Sequence, residues 1–189
     1  GVKLPESPVF TGRLGADLAY DAVSGLFRFE KIYGPSEYNL DITAPLVRPD
    51  IALKEGDFLI AINGRRLQKN EDFHRWLQVA EGQQVALTVN SRPSAEGART
   101  YEVEPLRQDR QLRYNRWLTE NIRKVLKATD GRVGYMHINA MGVRNIGEFD
   151  KFWRAFRYKE GIIIDVRRNS GGWTEYFMID KLERRQVAF

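Results

Sequence analysis

The chain has 189 residues, 42% hydrophobic and 29% charged, the balance of a soluble globular protein with room for one large domain or for a small domain and part of another. It has no cysteine and only two histidines, His74 and His137, which excludes disulfides, cysteine nucleophiles and thiolate metal sites and leaves too few ligands for a usual zinc site. The net charge of +5 arises from Lys and Arg interleaved with Asp and Glu, the pattern of a solvated surface rather than a nucleic-acid face. No apolar run is long enough to span a bilayer, and no signal peptide opens the chain. The first residue is Gly1 rather than Met, so a processed or shortened product is expected.

In chain order, residues 26–33 alternate and carry aromatics, as a strand does. Leu53-Lys54-Glu55-Gly56-Asp57 reads as a turn leading into a buried strand, Phe58 to Ile62, and Asn63-Gly64 as a tight turn needing positive φ. Asn70 is placed to cap a helix whose apolar positions Phe73, Trp76, Leu77 and Ala80 follow the spacing of one helical face, with Gly82 ending it. Val85, Leu87 and Val89, then Tyr101 and Val103, predict two strands joined by a polar loop over 91–98. Residues 105–109 look like a boundary. Beyond it the pattern predicts a helix over 110–128 with Leu118, Ile122, Val125 and Leu126 as its stripe, a turn at Asp130-Gly131, a strand over 132–138, a helix over 146–156, a strand over 161–166 and a helix over 173–184. The strand–helix–strand portion is a βαβ unit, whose strands must be parallel.

The most informative stretch runs from Gly161 through Ile162, Ile163, Ile164, Asp165, Val166, Arg167, Arg168, Asn169, Ser170, Gly171 and Gly172 to Trp173. A β-branched run of this length predicts a parallel strand buried on both faces. Two glycines at its carboxyl end permit a tight turn that exposes backbone N–H groups beside a helix start, where an oxygen gaining negative charge is best stabilised. On pattern alone an ordinary strand-to-helix turn is the simpler reading of Gly171 and Gly172.

Both halves resemble one family. The run Leu53 through Gly64 is similar to the signature turn and strand of a PDZ domain, and Thr11-Gly12-Arg13-Leu14-Gly15-Ala16-Asp17 sits where such domains keep a carboxylate-binding loop. Tyr114 to Trp117, Gly131 to Ile138, Asp165 to Arg167 and Asn169 to Gly172 resemble the catalytic core of tricorn proteases, within the C-terminal-processing serine peptidases. The resemblance covers about residues 11–184. It implies an α+β fold: a PDZ-like β-barrel with capping helices over 8–106, then a partial α/β segment, the opening of the peptidase core, over 107–189.

The resemblance also implies hydrolysis of peptide bonds through an acyl-enzyme on a serine, without metal or organic cofactor, the PDZ module positioning or gating the peptide. It assigns an oxyanion-hole amide to Gly171 or Gly172. The family pattern often has three glycines after the asparagine; here Ser170 takes the first place. The family's Gly-Ser-Asp-Gly-like nucleophile motif does not occur after Gly172, and no histidine precedes Thr11. The segment by itself is therefore expected to be inactive, since a nucleophile, a base and an oxyanion hole must be in mutual reach.

The expected partner is a peptide or unfolded protein, with no nucleic acid or membrane, and the full-length protein is expected to be a homo-oligomer. Cytoplasm is favoured over periplasm as the compartment. For peptide binding, the backbone amides of Leu14, Gly15 and Ala16 would hold a terminal carboxylate, with Arg13 nearby, and Phe73, Trp76 and Leu77 would line a side-chain pocket. His137 reads as a structural histidine, His74 as a rim residue, and Asp165, Arg167 and Asn169 as residues that shape the turn. Two rival readings remain: a PDZ module that binds peptides without catalysis, and an α/β domain that holds a phosphate at the Gly-Gly turn, although the chain lacks a P-loop and a dinucleotide fingerprint.

Overall fold

The computed structural model describes residues 8–68 and 71–183, so Asn70 and the last residue of the expected C-terminal helix lie outside the described residues. The chain divides into two compact units at residues 116 and 117.

The first unit is a sheet module. Its strands are β1 (Phe10–Thr11), β2 (Ala16–Asp21), β3 (Leu26–Ile32), β4 (Phe58–Ile62), β5 (Arg65–Arg66), β6 (Gln78–Val79), β7 (Val85–Asn90) and β8 (Arg99–Val103). The antiparallel path runs β2-β3-β4-β7-β8, with β5 paired to β4 and a separate β1-β6 pair. The alternation in β7 buries Val85, Leu87 and Val89 at 1% exposure each, as a sheet with one covered face requires. They join Phe29, Leu59, Ile62, Leu77 and Val103 in one core. Each such side chain contributes about 2 kcal/mol by leaving water.

Two sequence expectations are corrected here. The sheet is not a closed barrel: among the described residues β2 and β8 stand at opposite ends of the path and do not pair. The expected capping α-helix over 70–80 is a 3-10 helix at Phe73–Leu77. Its N-cap is Asp72, whose side chain accepts a hydrogen bond from the His74 amide, and it stops at Gln78, which turns extended and enters β6. The strand pairing of Gln78 and Val79 with Thr11 and Phe10 takes the residues that a longer helix would need.

The turn before β4 follows from its residues. Gly56 has φ +100°, open to glycine and costly for other residues. The Asp57 carboxylate accepts from the Lys54 amide at 3.0 Å, and the Gly56 amide donates to the Phe29 carbonyl at 2.8 Å. The turn thereby delivers Phe58 beside Arg28 in the β3-β4 register. Asn63 and Gly64 have φ of 50° and 75°, the tight turn expected there.

Helix α1 (Arg110–Ala128) has the bounds expected from the sequence. Its first turn closes the first unit: Arg113 donates to Asp109 at 2.9 Å and to Asp17 at 2.7 Å, and the buried Asn115 donates to the Gly34 carbonyl at 2.9 Å.

The second unit contains β9 (Val133–His137), α2 (Val143–Phe156), β10 (Gly161–Asp165) and α3 (Glu175–Glu183). β9 and β10 are parallel, from Val133 opposite Gly161 to His137 opposite Asp165, as the βαβ reading requires. Phe149, Phe152 and Phe156 form the buried face of α2. β10 is not buried on both faces as expected, because Ile163 is 46% exposed. Among the described residues β10 has a single sheet neighbour, β9, so part of its apolar surface stays uncovered.

Candidate functional site

The carboxyl end of β10 departs from its ladder in an ordered way. Through Asp165 the strand pairs with β9, and the Ile138 amide still donates to the Asp165 carbonyl at 2.8 Å. The chain then leaves as a loop over 166–170. It rejoins from Ser170, whose amide donates to the Asn139 carbonyl at 3.0 Å; beyond it Met141 donates to the Gly171 carbonyl at 2.8 Å and Trp173 donates to the Met141 carbonyl at 2.9 Å. Met141 and Gly172 thus form a parallel bridge.

Asp165 drives the departure. It is buried, and it accepts from the Arg167 amide at 2.9 Å, from Arg167 Nε at 2.9 and 3.0 Å, and from the Tyr135 hydroxyl at 2.6 Å. The Arg167 guanidinium holds the Asp165 carboxyl well below the carboxylate range, with burial opposing and Tyr135 adding to the effect. Burial, and then Asp165, push the Tyr135 hydroxyl up to about 12. A depressed carboxyl stabilises the fold above its unfolded pKa, near 3.8 here, and that contribution fades as pH falls through and below this value. The thermal midpoint of Asp165→Asn is therefore expected to fall less steeply than that of the parent between about pH 5 and about pH 2. Parallel slopes in the two proteins would contradict this account of Asp165.

His137, at the end of β9, places Nε2 2.8 Å from the Arg167 carbonyl oxygen, which requires that nitrogen to carry the proton. Trp117 packs edge-on to the ring at 4.9 Å. Arg168 takes a left-handed φ of 59°, a conformation that costs about 1 kcal/mol for a residue with a side chain.

The two glycine amides differ. Gly171 N–H donates to Asn169 Oδ1 at 2.6 Å. Gly172 N–H has no acceptor among the described residues. Both hydrogen bonds of the bridge to Met141 belong to Gly171 and Trp173, so the Gly172 N–H lies on the opposite edge of the turn. Glycine is demanded at 172. Its φ is +145°, and a Cβ there would sit 2.0 Å from the Met141 oxygen. At Gly171 a Cβ meets nothing within 4 Å. Thr174 and α3 follow directly. The difference between the two amides is invisible in the Gly-Gly pattern, because it comes from the Asn169 side chain and the bridge to Met141.

The first unit holds a second candidate. A cleft of about 270 Å³ lies beside β2, lined by Leu14, Ala16, Leu18, Phe73, His74 and Leu77 and by the charged Arg13, Asp17, Asp109 and Arg113. Four of the six expected peptide-binding residues, Leu14, Ala16, Phe73 and Leu77, are thus together. Gly15 and Trp76 are not in this lining. Gly15, at φ +68°, turns the chain into β2, and its carbonyl accepts from Tyr33 at 2.8 Å. Trp76 donates to Glu71 at 3.0 Å and takes Arg65 over its ring at 3.8 Å. Of the 3-10 helix, Phe73, His74 and Leu77 line the cleft and Trp76 does not.

The amides of Leu14 and Gly15 have no acceptor among the described residues, and the outer edge of β2 has no strand partner there. Arg113 is held by two carboxylates and lies over the Tyr33 ring at 4.6 Å. Its guanidinium keeps its proton more firmly than usual, chiefly through Asp109. The Tyr33 hydroxyl is pushed up to about 12 by burial and by Asp17. No helix among the described residues is long and apolar enough to cross a membrane.

Comparison with known proteins agrees with both halves. A family model described as "Tricorn protease PDZ domain" matches residues 12–108, and one described as "Peptidase family S41" matches residues 132–181. The chain is 31% identical to Tricorn protease homolog 1 of Streptomyces coelicolor, over 94% of this chain and 16% of that protein. It is 30% identical to the Tricorn protease homolog of Saccharolobus solfataricus, over 96% of this chain and 16% of that protein. A crystal structure of the tricorn protease superposes with a TM-score of 0.80 at 25% identity, covering 94% of this chain and 17% of that one. The chain thus spans about one sixth of the length of these relatives. With a tricorn-type PDZ match over more than half its length and an S41 match after it, the chain belongs to the tricorn-like peptidases of family S41.

Proposed function

We propose that this segment supplies the oxyanion side of a serine peptidase active site, and that Gly172 is the donor. The carrying observation is the Gly172 N–H, which has no acceptor among the described residues and faces outward from a turn that tolerates no side chain. A preorganised amide of this kind contributes on the order of 3 kcal/mol to lowering an acyl-transfer barrier, because it meets the charge only as it develops. Gly171 is the weaker choice, since its amide is already bonded to Asn169.

The reaction is hydrolysis of a peptide bond through an acyl-enzyme. The nucleophilic serine and its base come from parts of the full-length protein outside this segment, in keeping with the absence of a Gly-Ser-Asp-Gly-like motif after Gly172. His137 stays a structural residue, because its Nε2 proton is engaged by the Arg167 carbonyl. Residues 8–106 form the PDZ domain and 107–189 the start of the catalytic core. The full-length enzyme is a homo-oligomer that takes peptides or unfolded protein.

A second reading belongs to the first unit alone. The cleft beside β2 accepts a peptide that adds as a strand to the open β2 edge, its end held by the Leu14 and Gly15 amides. This positions or gates the substrate of the catalytic half.

A serine-reactive fluorophosphonate tests the catalytic reading. The full-length protein is expected to label and to lose peptide hydrolysis in step, while the 189-residue segment takes no label. A full-length protein that binds peptides through the cleft but neither labels nor hydrolyses them would leave only the binding module.

A further inference from the structure

Asn169 occupies the point where the ladder is broken, and it repairs the break. In an unbroken parallel ladder the Ile138 amide donates to Asp165 and the Ile138 carbonyl accepts from Arg167. The first bond is present at 2.8 Å. The second is missing, because the Arg167 amide has turned to the Asp165 carboxylate at 2.9 Å. Asn169 Nδ2 takes its place on the Ile138 carbonyl at 2.8 Å. The other end of the same planar amide, Oδ1, accepts the Gly171 N–H at 2.6 Å. One side chain therefore fastens the turn to the end of β9 and occupies one of the two neighbouring glycine amides.

We infer that Asn169 is a positioning residue that selects Gly172, and not Gly171, as the amide presented to the reacting carbonyl. The inference rests on the reading of Gly172 as an oxyanion donor. Only a side chain with a donor and an acceptor about as far apart as the two ends of a carboxamide satisfies both contacts. Asp offers two acceptors and would set an oxygen against the Ile138 carbonyl; Ser can make one bond; Ala makes none. Without the clip the Gly171 amide is released as a competing donor, and the turn is held only by the Ser170 bond to Asn139 and the bridge to Met141, so the donor is less firmly fixed where the tetrahedral oxygen forms.

The test uses the full-length peptidase and compares Asn169→Ala and Asn169→Ser with the parent. The readouts are kcat and KM on a peptide, affinity for a peptide boronate that mimics the tetrahedral state, and affinity for the cleaved product. For Asn169→Ala the expectation is a kcat loss of about 100-fold, the size typical of one oxyanion donor. Boronate affinity is expected to fall by a similar factor, with KM and product affinity within about twofold of the parent. Asn169→Ser, which keeps one bond, falls between, and it carries the test if the alanine variant does not fold. Equal losses in boronate and product affinity would mark Asn169 as merely structural and overturn the inference, as would a parental kcat in both variants. In either case the catalytic reading survives if the parent labels and hydrolyses. A parent that does neither removes that reading and this inference together.

Discussion

Gly172→Ala in the full-length enzyme is expected to reduce kcat by at least about 100-fold, while Gly171→Ala keeps most of the activity. The two glycines are adjacent, and both have positive φ, +145° and +82°. Their surroundings separate them. A Cβ on residue 172 would lie 2.0 Å from the Met141 oxygen and 2.3 Å from its carbonyl carbon, closer than any real contact. The bridge to Met141 must open, and the outward N–H moves with it. A Cβ on residue 171 meets nothing within 4 Å, so the cost there is that of a left-handed alanine, about 1 kcal/mol of stability. Peptide hydrolysis by the two variants, measured beside their thermal midpoints, checks the contrast. Equal activity in the two would remove the special place given to Gly172.

A second large effect is expected at Gly134, far along β9 from the glycine turn. Its Cα faces the last turn of α2, and a Cβ there would approach the Phe156 Cβ to 2.5 Å and its Cγ to 2.6 Å. Phe156 is itself buried at 4% exposure. Gly134→Ala must push α2 off the sheet, with a destabilisation of about 2 kcal/mol or more. Truncating the partner with Phe156→Ala cannot relieve the clash, because the offending Cβ remains. Gly147 is the control. It lies within α2 and a Cβ there meets nothing within 4 Å, so Gly147→Ala is expected to stabilise by about 0.5–1 kcal/mol. Denaturant unfolding of the two single variants and of the Gly134→Ala, Phe156→Ala pair gives the comparison. A destabilised Gly147→Ala, or a rescued pair, would show that the packing of α2 on β9 is misassigned.

The parts legible in the sequence were those governed by local pattern. The boundary at 105–109 and the stripe of Leu118, Ile122, Val125 and Leu126 marked α1, observed at Arg110–Ala128. The alternation of Val85, Leu87 and Val89 marked β7, and Asn63-Gly64 the tight turn after β4. Features set by tertiary pairing were not legible. Phe73, Trp76, Leu77 and Ala80 have α-helical spacing, but strand pairing by Gln78 and Val79 stops the helix early and leaves a 3-10 turn. Trp76 lies outside the cleft lining, held instead by Glu71 and Arg65. The open ends of the first sheet and the exposure of Ile163 depend on which strands lie next to each other, which no single stretch of residues specifies.

The candidate site divides in the same way. Two glycines after a β-branched run were enough to locate the turn. The engaged Gly171 amide, the outward Gly172 amide and the substitution of Asn169 for a missing ladder bond emerge only when β9 and β10 are in register. Asp165 shows why. As a residue ending a strand it could have been catalytic, but its carboxylate is engaged by Arg167 and Tyr135, and what it does in the fold is steer the backbone that follows.

A crystal structure of the full-length peptidase carrying a covalent peptide boronate on its serine would test the central claim most directly. The account predicts a boronate oxygen about 2.7–3.1 Å from the Gly172 nitrogen, with the Gly171 amide still on Asn169. A boronate oxygen held by other donors, with Gly172 pointing elsewhere, would contradict it.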